Sequence, residues 1–350
     1  MKRILSILML ACFAAACMEY GPVESECFDV DIAASRSLIV LNEGNYMYGN
    51  ASLSFYDPAV RSVENEVFVR ANGFKLGDVA QSAEYYGGLV WTVVCNSGVV
   101  FALDPSTFTE VKRITGFTAP RFIKFISPTK AYVTQLWDPR IYIVNPETCT
   151  ITGYIETDMD YDTGSTEQMV LCGGFMYVNC WSMQHTVLKV DTATDRIVAQ
   201  LEVGAQPQSM ALDCHGGLWV LCDDVLGTSP MLQRINLDTF SVEKTFQLDA
   251  GSVSRSLAVN AAGDMLYWIN GGIWRMDVGA EALPSAPFIE PARARFYALS
   301  VDPDAGDIYV SDSKDYVQNG EVLRYNASGI LQDRFTVGIN PGGFLWRVER

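Results

Sequence analysis

A repeat of about 45 residues runs through most of this 350-residue chain. In each copy, an apolar strand-like run ends on an aspartate or asparagine, and a turn and a further strand follow. Successive copies are 47, 41, 46, 45, 41 and 49 residues apart. Each copy accommodates four strand-like segments, and helical periodicity is hard to find after the N-terminal leader. The strand-ending residues are Asp57, Asp104, Asn145, Asp191, Asn236, Asp277 and Asn326.

Seven four-stranded units at this spacing predict an all-β fold, a seven-bladed β-propeller over residues 35–350. One twisted four-stranded sheet cannot bury both of its faces, whereas seven sheets stacked radially bury them around a central channel. We name the strands of a blade A to D from the axis outward. The first copy has no strand A ahead of it. We therefore expect residues 344–348 to form the inner strand of blade 1 and close the ring, which removes exposed sheet edges.

The N-terminus predicts export. Two basic residues at the start are followed by an apolar run to Ala16. This run is too short for a membrane span of about 20 residues, but the pattern is typical of a signal peptide, which we assign to residues 1–16. The pentapeptide Phe13–Cys17 resembles the lipobox of bacterial lipoproteins, in which the cysteine is acylated. This resemblance implies lipidation at Cys17 and a tether over residues 17–34. An ordinary signal peptide cleaved near Ala16 is the alternative.

Charge and cysteine content narrow the range of partners. The net charge of −16 repels phosphate backbones and anionic lipids, so we expect no nucleic-acid partner and no membrane contact beyond the lipid anchor. Seven cysteines follow Cys17 without any CxxC pair, which argues against a zinc site. We interpret most of them as small buried hydrophobic residues.

Two sets of motifs resemble known propellers. Val203–Pro207 and Val337–Pro341 resemble the V-G-x-x-P segment that precedes strand A in seven-bladed propellers with YVTN or YncE-type repeats. Leu41–Asn45, followed by Ala51–Asp57, resembles the opening blade of surface lipoproteins from gut Bacteroidetes, including the cobalamin-capturing BtuG proteins. The resemblance implies a lipid-anchored outer-membrane protein that faces the cell exterior. It further implies capture of cobalamin (vitamin B12) or another corrinoid and its transfer to a TonB-dependent outer-membrane transporter.

Long B–C loops mark one face of the propeller as the binding face. Nine residues rich in Asn, Gly and Tyr separate two strands near residue 46, more than the two to five of a normal hairpin. Several other B–C loops are also long and aromatic, whereas the A–B turns of the opposite face are short. Long loops on a rigid scaffold commonly carry function. The predicted ligand-binding residues are Tyr46, Tyr48, Trp137, Arg140, Trp181, His185 and Tyr316.

A metal ion and catalysis are weaker hypotheses. Asp158, Asp160 and Asp162 alternate and form a Ca²⁺ candidate, but their spacing does not fit an EF-hand, and a solvated acidic loop is the favoured interpretation. We expect no resident cofactor. The two histidines lie on opposite faces and no GxSxG motif occurs, so we expect a binding protein rather than an enzyme.

Two other function classes stay open. One is a propeller that binds a glycan or a protein partner. The other is a carboxylate-dependent hydrolase or lactonase that uses the acidic residues of the binding face, which are Asp223, Asp224, Asp312 and Asp315.

Overall fold

The structure, a computed structural model, describes residues 36–160, 165–223, 229–250 and 254–348. The predicted signal peptide, the tether and the lipidated Cys17 lie outside these residues, as do Asp162 and Asp224. Among the described residues, no helix is long and apolar enough to cross a membrane.

Within the described residues, twenty-seven strands form seven antiparallel sheets. In the first half of the chain they are β1 (Arg36–Asn42), β2 (Ser52–Asp57), β3 (Ser62–Glu64), β4 (Ala80–Tyr86), β5 (Leu89–Val94), β6 (Val99–Leu103), β7 (Glu110–Thr115), β8 (Pro120–Ser127), β9 (Lys130–Gln135), β10 (Ile141–Asn145), β11 (Thr150–Ile155), β12 (Thr166–Cys172), β13 (Phe175–Cys180), β14 (Thr186–Asp191) and β15 (Arg196–Glu202). The remaining strands are β16 (Pro207–Leu212), β17 (Gly217–Cys222), β18 (Met231–Asn236), β19 (Ser241–Gln247), β20 (Ser254–Val259), β21 (Met265–Asn270), β22 (Gly272–Asp277), β23 (Phe296–Val301), β24 (Ile308–Asp312), β25 (Asn319–Tyr325), β26 (Leu331–Ile339) and β27 (Pro341–Val348).

The sheets are arranged as a closed ring of seven blades, which confirms the predicted fold. Each inner strand contacts the inner strands of the two neighbouring blades, in the cyclic order β27, β4, β8, β12, β16, β20, β23 and back to β27. The C-terminal strand β27 pairs antiparallel with β1, with Leu345 opposite Ile39 and Phe344 opposite Val40. The predicted closure is therefore confirmed, and the closing strand begins three residues earlier than expected, at Pro341.

The repeated Asp or Asn has a local structural role that explains its recurrence. At the end of each strand C, its side-chain oxygen accepts a hydrogen bond from the backbone N–H two residues later. The seven N···O distances lie between 2.7 and 3.0 Å. A short polar side chain that bonds its own backbone in this way stabilises the tight turn into strand D.

A large aromatic side chain occupies the same position of strand B in six blades. Each one lies opposite the residue two places before the repeated Asp or Asn and is at most 5% exposed, so it fills the space between neighbouring blades. These residues are Trp91, Tyr132, Tyr177, Trp219, Tyr267 and Tyr309.

Two segments differ from the ideal repeat. In the part of the chain that the structure describes, the blade built from β20, β21 and β22 has three strands instead of four, and an isolated bridge joins Ile273 to Ile289 where a strand D is expected. Pro284, Pro287 and Pro291 lie in this segment, and proline cannot donate to a strand ladder. A six-residue helix, α1 (Val67–Asn72), lies between β3 and β4 and buries Phe68.

Candidate functional site

A polar cavity of about 570 Å³ lies on the propeller axis. Residues of all seven inner strands line it. Within each blade, strand A begins and strand B ends at the same side of the ring, because consecutive strands are antiparallel. The cavity therefore opens among the starts of the inner strands and the long B–C loops, on the predicted binding face.

The second residue of every inner strand lines this cavity. In six blades it carries a long polar side chain, and in the blade closed by β27 it is a glycine. We call this set the axial ring. Its members are Gln81, Arg121, Glu167, Gln208, Arg255, Tyr297 and Gly342.

Glu43 takes the place of the side chain that Gly342 lacks. A Cβ atom on Gly342 would lie 2.0 Å from Oε1 of Glu43, so any larger residue at this position would displace the carboxylate. Glu43 comes from the first B–C loop rather than from an inner strand. The axial ring is thus completed by a residue about 300 positions away in sequence.

The loop after β1 is built to hold Glu43 at the axis. The backbone N–H of Glu43 donates to the carbonyl of Asn340 over 2.9 Å, and that of Gly44 donates to the carbonyl of Ile339 over 3.0 Å. In return, Nδ2 of Asn340 donates to the carbonyl of Gly44 over 2.7 Å. Gly44 adopts a φ of +74°, and a Cβ there would meet Oδ1 of Asn50 at 2.5 Å. The Leu41–Asn45 motif therefore fastens Glu43 to the closing seam of the ring.

Some side chains of the axial ring bind each other or Glu43. Nε of Arg121 donates to Oε1 of Glu167 over 2.7 Å, and the guanidinium lies 5.6 Å from the centre of the Trp181 ring. The hydroxyl of Tyr297 donates to Oε2 of Glu43 over 2.9 Å. Two of the ring's three charged members, Arg121 and Glu167, therefore neutralise each other inside the cavity.

Burial governs the protonation of the carboxyl groups of Glu43 and Glu167. It raises the pKa of Glu43 above the usual 4.5, while the Tyr297 hydrogen bond and the charges of Arg121 and Arg255 oppose this shift. Burial also raises the pKa of Glu167, against the opposing effect of the adjacent Arg121. Desolvation disfavours a charged carboxylate, and within the described residues Glu43, unlike Glu167, has no direct ion pair to oppose this effect.

A second ion pair lies three residues further along two neighbouring inner strands. Nζ of Lys124 is 2.8 Å from Oε1 of Glu84, and both residues line the cavity. Burial raises the pKa of Glu84, and the charge of Lys124 opposes the shift. The polar character of the channel therefore continues beyond its mouth.

Exposed apolar side chains crowd the B–C loops around the mouth. Tyr46, Met47 and Tyr48 are 62, 76 and 75% exposed. We define the rim group as these three together with the exposed Trp137, Met183 and Val317, each from a B–C loop. Large apolar side chains gathered on one exposed surface commonly mark a binding site.

The structure brings two of the predicted binding residues close to the axis. Trp181 lines the cavity beside Arg121. Tyr316 packs edge-on against Tyr297, with 5.9 Å between ring centres. The carbonyl of Tyr316 also accepts a hydrogen bond from Nδ2 of Asn45 over 2.5 Å, which ties the loop of Tyr46 and Tyr48 to the loop of blade 7.

Three other predicted residues do not line the axial cavity, and two of them, Arg140 and His185, contact protein groups elsewhere. Nη2 of Arg140 is 2.8 Å from Oδ2 of Asp138, and the guanidinium lies 4.6 Å from the Tyr154 ring centre on the outer strand of its blade. Nε2 of His185 is 3.2 Å from Oε1 of Glu202 at the end of β15. Trp137 is exposed, with a φ of +65°. Their role in binding stays a prediction.

The described residues of the metal and thiol hypotheses do not line the axial cavity. Oδ2 of Asp158 accepts a hydrogen bond of 3.3 Å from Gln200, and no group of three or more candidate metal ligands occurs among the described residues. Cys95, Cys180 and Cys222 are buried free thiols and Cys214 is exposed. Burial raises the pKa of Cys180 and Cys222 to about 12, which keeps these thiols neutral and unreactive.

Sequence reasoning selected the rim but missed the axial ring. The signal was present, since polar residues recur at the second position of six inner strands, among them Arg121 and Gln208 directly after a proline. This recurrence can be recognised only when the first residue of each strand A is known. Glu43 was inside the quoted Leu41–Asn45 motif, but nothing in the sequence places it opposite Gly342.

The fold and the axial cavity define a seven-bladed propeller with a polar central channel. Residues 37–335 match the family described as a domain of unknown function, DUF5074. The chain belongs to this family. No curated protein matches the chain significantly.

Solved structures of similar fold come from distant proteins. A quinonprotein alcohol dehydrogenase-like protein from Bacteroides thetaiotaomicron is 14% identical, with a TM-score of 0.68 over 89% of this chain and 78% of that one. The periplasmic gluconolactonase PpgL of Pseudomonas aeruginosa is 11% identical, with a TM-score of 0.68 over 89% and 99%. The hydrazine synthase of Kuenenia stuttgartiensis is 13% identical, with a TM-score of 0.58 over 73% and 85%. At these identities the similarity establishes the propeller fold alone.

Proposed function

We propose that this protein captures cobalamin or another corrinoid at the mouth of its propeller and passes it to a TonB-dependent outer-membrane transporter. The observation that carries the proposal is the rim group, a set of exposed aromatic and apolar side chains around a polar channel. The resemblance of the opening blade to cobalamin-capturing surface lipoproteins points to the same ligand. The transporter as a partner rests on this resemblance alone.

The chemistry of a corrinoid suits such a surface. Its broad ring has apolar faces that can pack on Tyr46, Tyr48 and Trp137, and its fringe of amides needs many hydrogen-bonding partners. The carboxamides of Gln81 and Gln208 at the channel mouth offer both donors and acceptors. A corrinoid is larger than the ligands that fit a cavity of about 570 Å³, so it would cover the mouth rather than enter the channel.

Titration with cyanocobalamin tests the proposal most directly. We expect the visible absorbance of the corrin ring to change on addition of the protein and to saturate at one equivalent, because the ring moves from water onto an aromatic surface. Unchanged spectra, together with no cobalamin binding by surface plasmon resonance, would reject the corrinoid proposal. The glycan- or protein-binding alternative would then take its place.

Display at the cell surface is the second part of the proposal. We propose that the chain is acylated at Cys17 and held on the outer membrane, facing the exterior. Cys17→Ala should release the protein from membranes and abolish incorporation of a palmitate analogue, while the propeller still folds. Membrane attachment or labelling that persists in Cys17→Ala would contradict the anchor. External protease treatment of intact cells reports the orientation.

One observation favours the hydrolase alternative enough to test it. Glu43 is a carboxyl group of raised pKa beside Tyr297 and two arginines, and such groups are common at catalytic sites. The acidic residues considered from sequence fit less well, because Asp312 and Asp315 accept hydrogen bonds from backbone N–H groups of their own loop. We propose binding without turnover. Hydrolysis of gluconolactone that is lost in Glu43→Gln would show the opposite.

A further inference from the structure

Three members of the axial ring offer open hydrogen-bonding groups to the cavity. Within the described part of the chain, no hydrogen bond or ion pair is formed by the side chains of Gln81, Gln208 or Arg255. Arg255 rests on the Tyr297 ring, 4.7 Å from its centre. A guanidinium carries five N–H donors, and each carboxamide carries two donors and an acceptor oxygen. Because polar groups in enclosed sites are normally satisfied, these three side chains are available to a bound molecule.

Arg255 is the group in this part of the cavity best placed to bind an anion. The charge of Arg121 is offset by Glu167 at 2.7 Å, so Arg255 is the ring cation without a direct anionic partner among the described residues. Glu43 is the remaining carboxyl group near it, and burial favours the neutral form of Glu43. A guanidinium binds a carboxylate through two parallel hydrogen bonds, which are stronger than bonds between neutral groups.

We propose that the axial channel is a binding site for a small hydroxylated carboxylate, such as a sugar acid. Arg255 holds the carboxylate, and Gln81 and Gln208 bind the hydroxyl groups, each of which needs both a donor and an acceptor. The cavity of about 570 Å³ falls within the range of roughly 300–1,000 Å³ typical of small-molecule sites. This site shares Gln81 and Gln208 with the proposed corrinoid site, but its carboxylate-binding residue, Arg255, is not part of the rim group.

Calorimetric titration of the folded protein with glucuronate and glucose tests the proposal. The two sugars share most hydroxyl groups and differ in the carboxylate. We expect glucuronate to bind at least tenfold more tightly than glucose. Arg255→Gln should weaken glucuronate binding by roughly 10- to 100-fold and remove the preference, since it deletes a charge-assisted pair. Arg275→Gln is the matched control, because this arginine lies on the same blade over Phe288, at 3.7 Å, and does not line the cavity.

The pH dependence of binding provides a second readout. The titratable and charged groups that face Glu43 are Arg121, Glu167, Arg255 and Tyr297, together with the buried thiol of Cys95. Deprotonation of Glu43 places a negative charge next to the bound carboxylate. Over the pH range in which glucuronate itself is ionised, its affinity should therefore fall as the pH rises through the pKa of Glu43, which burial raises above the usual 4.5. Glu43→Gln should abolish this dependence.

Several outcomes would overturn the proposal. They are the absence of glucuronate binding at millimolar concentration, equal binding of glucose, or an effect of Arg275→Gln as large as that of Arg255→Gln. If Arg255→Gln melts at a clearly lower temperature, Gln208→Ala replaces it, with an expected loss of about 3- to 10-fold. Variants of the rim group should leave glucuronate binding unchanged. Cobalamin and glucuronate binding can therefore fail separately.

Discussion

A chain truncated after Gly343 is expected to be aggregated or molten. The deletion removes Phe344, Leu345 and Trp346 from β27, which pack against the cores of two blades. Loss of three large, half-buried apolar side chains costs on the order of 5 kcal/mol or more, before the lost backbone pairing with β1 is counted. Typical domain stability is about 5–15 kcal/mol, so little would remain.

The contacts of Trp346 show that the truncation does more than shorten the closing strand. Its Nε1 donates to Oγ of Ser300 in the neighbouring blade over 2.9 Å, and its ring packs edge-on against Tyr309 at 5.0 Å. Removing it opens the seam between the first and last blades and exposes the β1 edge, which favours aggregation. Circular dichroism melting and size-exclusion chromatography are the measurements. A chain ending at Val348 is the control, since it retains all of β27.

Cooperative melting of the truncated chain near the temperature of the full-length chain would contradict the assigned role of β27. The ring would then be held closed by contacts between blades without the C-terminal strand. Melting of the Val348-terminated control at a strongly lowered temperature would also contradict it, because stability would then depend on residues beyond the strand.

The fold was predictable because its determinants are local and repeated. Every turn that follows a strand C contains the same short polar side chain, so Asp57 and its six equivalents mark the blades directly. Ring closure was predictable because the first copy lacked a strand that the C-terminus could supply. The three-stranded blade was not predicted, because the loss of its strand D depends on where Pro284, Pro287 and Pro291 fall relative to the ladder.

The site was only half predictable, for a reason of register. A shift of one residue moves a strand's side chains to the other face, so the axial ring depends on the first residue of each inner strand. Bulges near the start of these strands, such as that between Ala80 and Ser82, obscure simple alternation. The pairing of Glu43 with Gly342 depends on closure of the ring and has no local signal. Aromatic B–C loops, in contrast, were visible from composition alone.

The double variant Tyr46→Ala, Trp181→Ala is expected to weaken cobalamin binding by roughly a thousandfold. Aromatic contacts at the centre of a desolvated interface cost about 2 kcal/mol or more each on truncation. Two independent losses of this size add to about 4 kcal/mol, or three powers of ten in Kd. Tyr46 is 62% exposed and Trp181 lies at the cavity mouth, so both side chains are positioned for a ligand that covers the mouth.

The melting temperature of the double variant should change little, so a loss of affinity can be distinguished from unfolding. Tyr46 contributes little to the core, and Trp181 loses a cation–π contact with Arg121 that is worth about 1 kcal/mol. Surface plasmon resonance with immobilised protein measures the affinity, and circular dichroism verifies the fold. Tyr85→Ala is the matched control, because Tyr85 is an exposed aromatic residue at the end of β4, on the opposite face. Unaltered affinity in the double variant, with binding by the wild type, would place the corrinoid site away from the rim, in the acidic loop of Asp158 and Asp160 or on the face of Tyr85.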